Sequence, residues 1–129
     1  MIKAYTDVEQ AKQLAKILPI ETADMCYMEY ATSDDPILRY EGQPPMVLGD
    51  IPITEIDVVC LPCWSLAALL NVLPKPTKRI YELNIYGGDE KPFFGFNDSD
   101  LNIHKAFEGN DYIDACVNMI VYLHEQKLI

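Results

Sequence analysis

The sequence predicts an α+β fold, with about three helices packed on a mainly antiparallel sheet of about four strands. Helical apolar periodicity marks both ends of the chain, and a third helix-like run, apolar on nearly every side, lies in the middle. Residues 79–97, RIYELNIYGGDEKPFFGFN, alternate in character before a glycine pair and return through an aromatic segment, which is the pattern of a β-hairpin. Parallel neighbours need helical crossovers of a dozen or more residues, so this mixed order of elements favours α+β over a doubly wound sheet.

The first helix is expected over 7–18. Thr6 and Glu9 make a T-x-x-E capping box, Val8, Ala11, Leu14 or Ala15, and Leu18 recur at helical spacing, and Pro19 stops the run. ADMCYMEYA, residues 23–31, is rich in aromatic and long apolar side chains and leads into the turn signal SDDP. A strand is therefore expected at 25–31, with ILRY at 37–40 as its hairpin partner. Residues 41–54 carry three prolines and two glycines and read as a loop with a short edge strand at Met46 to Leu48.

VVCL, residues 58–61, reads as a buried strand or turn. It runs into a buried helix over WSLAALLNVL, with Pro62 and Cys63 in the first turn and Pro74 at the end. Residues 98–109 read as loop. The last helix is expected from Asn110 or Asp111, with Ile113, Cys116, Val117, Ile120, His124 and Leu128 on one stripe and Lys127 in the last turn. No linker divides the chain, so one globular domain over 1–129 is expected.

Half of the 129 residues are hydrophobic and 23% are charged, the balance of a packed domain and not of a disordered chain. Ten Lys and Arg stand against twenty Asp and Glu, a formal charge of -10. That field repels a phosphate backbone and attracts basic surfaces, so direct nucleic-acid binding is not expected and a protein partner with a basic surface is. No stretch approaches 18 uninterrupted apolar residues and MIKAYTDVEQ has no apolar leader core, so a cytoplasmic protein without a membrane span is expected. Cys26, Cys60 and Cys116 lie in apolar patterns, as buried reduced thiols do.

Three tracts resemble a group of short proteins of gut Bacteroidetes, often encoded among phage or mobile-element genes: KAYTDVEQAKQLAKILPIETADM, LPCWSLAALLNVLPKP and DACVNMIVYLHEQKLI. They cover roughly half the chain and fall on its three expected helices. The resemblance implies a small intracellular bacterial or phage protein, and it brings no activity, cofactor or catalytic residue with it. In that group the central tract is the Trp-Ser-Leu-Ala-Ala-Leu-Leu run, not a cysteine pair.

Cys60 and Cys63, in CLPC, are the sharpest candidates for chemistry. A redox pair of this kind follows a strand and places its first Cys at a helix N-terminus, where unpaired amides stabilise the thiolate. Here the tryptophan follows the pair, and helix 1 and hairpin-like strands come first, so a strand-to-helix junction is the expected role and thiol-disulfide exchange the alternative. A metal would need Cys116, His104 or His124 as further ligands, which lack the spacing of a zinc site, and no metal or cofactor is expected. Ser65 has no base nearby in sequence and reads as a cap or packing residue. Asn97 to Asp100 open like a calcium loop, but positions six and twelve, Ile103 and Gly109, are the wrong residues. Phe93, Phe94 and Phe96 either complete the core or leave a ring exposed to contact a partner with a basic rim.

Overall fold

A computed structural model describes residues 3–28, 44–47, 60–73, 79–84, 93–98 and 103–129; for 60, 79–84, 93, 96–98, 103 and 104 it describes the backbone alone. The fold is α+β. In chain order the elements are α1 (Val8–Ala15), a 3-10 turn (Ile20–Thr22), β1 (Met25–Met28), β2 (Met46–Val47), β3 (Cys60–Cys63), α2 (Leu66–Val72), β4 (Arg79–Asn84), β5 (Phe93–Asp98), β6 (Ile103–Glu108) and α3 (Tyr112–Glu125). The strands form two three-stranded antiparallel sheets, β2-β1-β3 and β4-β5-β6. Contacts divide the chain into two compact units, Tyr5–Ala68 and Leu69–Ile129 with Met1–Ala4.

In the unit Tyr5–Ala68, α1 starts one residue later than expected. Asp7, not Thr6, is the N-cap: its side chain accepts from the Gln10 amide at 2.8 Å and the Gln10 side chain accepts from the Asp7 amide at 3.1 Å. The sequence T-D-V-E-Q offers both boxes, and Thr6 is fully buried and bonded elsewhere. Val8, Ala11 and Leu14 are buried on one face, and α1 ends near Ala15, with a turn carrying the chain to the buried Leu18. Val8 and Ala11 join Tyr27, Leu61 and Cys63 in one core cluster, with Tyr5 and Met25 packed against it.

β1 is the central strand, and its adjacent residues Cys26 and Tyr27 are both buried. Neighbouring strand residues face opposite sides, so both faces of β1 are covered. β2 forms one edge, close to the short strand expected at Met46 to Leu48; residues 29–31, the proposed partner 37–40 and Leu48 lie outside the described residues. β3 forms the other edge and corrects the expectation for CLPC. Pro62 and Cys63 are in the strand, paired with Cys26 and Met25, and α2 begins only at Leu66. Proline has no amide to donate and is tolerated on such an edge strand. Beyond β3, the segment before α1 takes up the chain: Tyr5 bridges Ser65, and the Thr6 amide donates to the Trp64 carbonyl at 3.0 Å.

In the unit Leu69–Ile129, the expected hairpin is present as β4 and β5, paired from Arg79↔Asp98 to Asn84↔Phe93; Gly87 and Gly88 lie outside the described residues. Residues 103–108, read as loop, are the strand β6 instead. Among its described side chains Phe107 is well covered, while Lys105, Ala106 and Glu108 are exposed, so an edge strand with little apolar alternation looked like loop. α3 packs on β5 and β6 and starts at the N-cap Asp111, the second of the two starts expected. Ile113, Cys116, Val117 and Ile120 are buried on its stripe, Ala115, Met119 and Leu123 widen it, and His124 and Leu128 are half-buried.

Candidate functional site

The residues that could carry chemistry converge where CLPC, the strand β3, and the two residues after it meet the segment before α1. Cys63 is fully buried. Its sulfur accepts from the Thr6 hydroxyl at 3.4 Å, and its thiol donates to the Thr6 carbonyl at 3.5 Å. The same carbonyl, with two lone pairs, accepts from the Tyr27 hydroxyl at 2.7 Å. The Thr6 hydroxyl in turn accepts from the Trp64 amide at 3.2 Å. One threonine therefore partners a thiol, a phenol and a backbone amide in the core.

Burial dominates the ionisation of this group. It pushes the Cys63 thiol from about 9 up to about 11, against the opposing help of the Thr6 and Tyr27 hydrogen bonds to the thiolate. Burial, then the neighbouring Cys63, raises Tyr27 well above the usual tyrosine range. A nucleophilic cysteine needs the reverse, an exposed thiol with a lowered pKa at a helix N-terminus. Cys63 is instead a neutral hydrogen-bonding core residue in a strand. The side chain of Cys60 lies outside the described residues.

Past Cys63, Trp64 is fully buried and its indole nitrogen donates to the Thr22 hydroxyl at 2.9 Å, which itself donates to the Pro19 carbonyl at 2.6 Å. Ser65 donates its hydroxyl to Asp24, and its amide donates to the same carboxylate at 2.9 Å. The Ser65 oxygen accepts from the Ala68 amide at 3.2 Å. That is an N-cap, the role expected for Ser65, with Asp24 fixing the serine and not activating it toward a substrate.

Elsewhere, the three phenylalanines do not form a described common surface. Phe94 is 2% exposed and meets Tyr112 edge-on at 6.0 Å, so it takes the core role open to these rings and is not available as a partner contact. The side chains of Phe93 and Phe96 lie outside the described residues. Lys105 stands 4.3 Å from the centroid of Tyr122 and 5.5 Å from that of Phe107, covering the outer face of the rings with a cation. Among the described residues no group of three or more His, Cys, Asp or Glu side chains could share one metal ion. Cys116 is buried, with burial pushing its thiol up to about 12, and the His104 side chain is outside the described residues. No helix of the described residues is long and apolar enough to cross a membrane.

Sequence reading missed Thr6 as the hub because T-x-x-E already explained it. The buried partner requirements of Cys63 and Tyr27 become visible only once β1 and β3 are paired. No family model matches the chain, and no curated protein or solved structure is significantly similar to it.

Proposed function

We propose that the chain is a non-enzymatic protein-binding module, a small acidic accessory factor whose partner presents a basic surface. The carrying observation is the two-to-one excess of carboxylates, twenty against ten cations and a formal charge of -10. Such a field raises encounter rates with basic surfaces and disfavours phosphate backbones. The hydrogen bonding of Thr6, Cys63 and Ser65 supports the reading, because each of these reactive side chains is committed to holding its own unit together. The resemblance to short proteins of gut Bacteroidetes supports an origin in a phage or mobile element and a cytoplasmic setting. In its sharper form, the acidic surface competes with nucleic acid for a basic protein of the host.

Affinity capture with the purified protein at low and at high salt tests this. Partners with basic surfaces should be retained at low salt and released at high salt; recovery of none would remove the reading. The motif CLPC keeps a second reading open, thiol-disulfide exchange with Cys60 as nucleophile and Cys63 as resolving thiol. Titrating thiol alkylation of the folded protein against pH separates the two: exchange requires a thiolate well below the ordinary cysteine value of about 8.5, whereas the binding module needs no reactive thiol.

A further inference from the structure

We propose that the partner docks on the outer face of the sheet β4-β5-β6 and is held there by an arginine that stacks on Phe93 and pairs with Glu108; this rests on the reading of the chain as an acidic binding module. Contacts and register define the two faces of that sheet. Phe94 and Phe107 are buried and meet Tyr112 and Tyr122 of α3, and Lys105 stands over Tyr122, so these three residues mark the face that α3 takes. Successive strand residues alternate between faces, so Phe93, Gly95, Ala106 and Glu108 belong to the other one. That outer face is open at β6: Ala106 and Glu108 are exposed, and Gly95 is half-buried.

Register also sorts the charges. Arg79 and Lys105, the two cations of these strands, fall on the α3 face, Arg79 directly opposite Asp98. Glu82 and Glu108 fall on the outer face, where the three strands place no Lys or Arg. Phe93 is paired directly with Glu108, and in the next row Gly95 stands between Glu82 and Ala106. An aromatic residue is thus set beside a carboxylate, with a second carboxylate and two of the smallest residues in the adjoining row. That set selects arginine. Directly opposed residues of an antiparallel pair have Cβ atoms about 4.5–5.5 Å apart, within the span of one guanidinium. A guanidinium stacks on a ring with its face while its edge bonds a carboxylate, whereas an ammonium offers a point charge alone. Gly95 and Ala106 let the partner's chain come close. A second copy of this face would oppose glutamate to glutamate, and a phosphate backbone would meet the same repulsion.

The probe is a fluorescent peptide of about eight residues, the length of a long strand, alternating Arg and Ser, and it is compared with the same peptide carrying Lys for Arg. Fluorescence anisotropy at low salt should show the arginine peptide bound about threefold more tightly than the lysine peptide. Phe93→Leu should cancel that preference. Glu108→Gln should weaken the arginine peptide about fivefold, and Ala106→Arg, at an exposed position of the same face, should abolish its binding. Glu125→Gln removes an equal charge from the exposed end of α3, on the other side of the sheet, and should change binding less than about twofold. A cooperative melting transition identifies the folded variants, and Glu108→Gln, at an exposed side chain, carries the test if Ala106→Arg or Phe93→Leu does not fold. Equal effects of Glu108→Gln and Glu125→Gln, or binding that survives Ala106→Arg, overturn docking on this face and leave the acidic reading standing. Equal binding of the two peptides, or an arginine preference that survives Phe93→Leu, overturns the selection of arginine. Binding of neither peptide overturns the proposal and counts against the acidic reading as well.

Discussion

Thr6 shows most clearly how one residue acts through several neighbours. Replacing it with Val keeps the shape and removes the hydroxyl, so the buried Trp64 amide loses its acceptor and Cys63 its donor. An unsatisfied buried group costs about 1–3 kcal/mol, so Thr6→Val should destabilise the fold by that amount in urea unfolding while Thr6→Ser keeps most of the stability. Tyr27→Phe removes the hydroxyl that bonds the Thr6 carbonyl and should cost about 1 kcal/mol in the same measurement. If the two losses in a double variant simply add, the shared threonine does not couple them. None of this was legible at 1–30, where Thr6 reads as an ordinary cap. Two polar roles competed for one side chain, and tertiary pairing with Trp64 decided between them.

The ends of α3 hold the most readable energetics among the elements. Asp111 is 2% exposed; its carboxylate accepts from the Asp114 amide at 2.9 Å and the Lys3 amide at 3.2 Å, and Lys3 also pairs with Asp114. Asp111→Ala should therefore cost about 1–2 kcal/mol, at the upper end for a cap, in thermal or denaturant unfolding. At the other end, the Leu128 amide bonds the Leu123 carbonyl at 2.8 Å and the Lys127 amide bonds the His124 carbonyl at 2.9 Å, a Schellman closure. It forces Lys127 to φ 59, a left-handed conformation that costs a side chain about 1 kcal/mol. Lys127→Gly should raise the melting temperature, and an unchanged or lower value would mean that the unfolded-state entropy of glycine outweighs the relief. The start of α3 was legible to within one residue, Asn110 or Asp111, because a cap residue and an acidic first turn precede the apolar stripe. β6 was not, since Lys105, Ala106 and Glu108 carry no apolar alternation and, among its described side chains, only Phe107 is anchored. The CLPC junction failed for another reason: a proline suits a helix start and an edge strand alike, and only the register with β1 chose the strand.

For the whole molecule, composition spoke plainly about class and charge, and the reactive-looking residues spoke misleadingly about chemistry. A CxxC is a short motif that says nothing of burial, and burial fixes what its second thiol can do. That burial makes alkaline stability a measurable property of the whole chain. Cys63 lies in the unit Tyr5–Ala68 and Cys116 in the other, with thiols raised to about 11 and about 12. Each folded value lies above the unfolded one near 9, so the unfolded chain releases these protons first. Their contribution is complete below about pH 9 and is lost as pH rises through 9 toward 11 and 12. At Cys63 the rise from about 9 to about 11 corresponds to roughly 3 kcal/mol. Urea unfolding at intervals from pH 7 to pH 11 should show a falling midpoint above pH 9. Cys63→Ala, whatever its cost at pH 7, should make that fall shallower than in the parent chain. An alkaline limb of the same steepness in both would show that Cys63 does not titrate differently in the folded and unfolded states, and Cys116 and Tyr27 would then have to supply it.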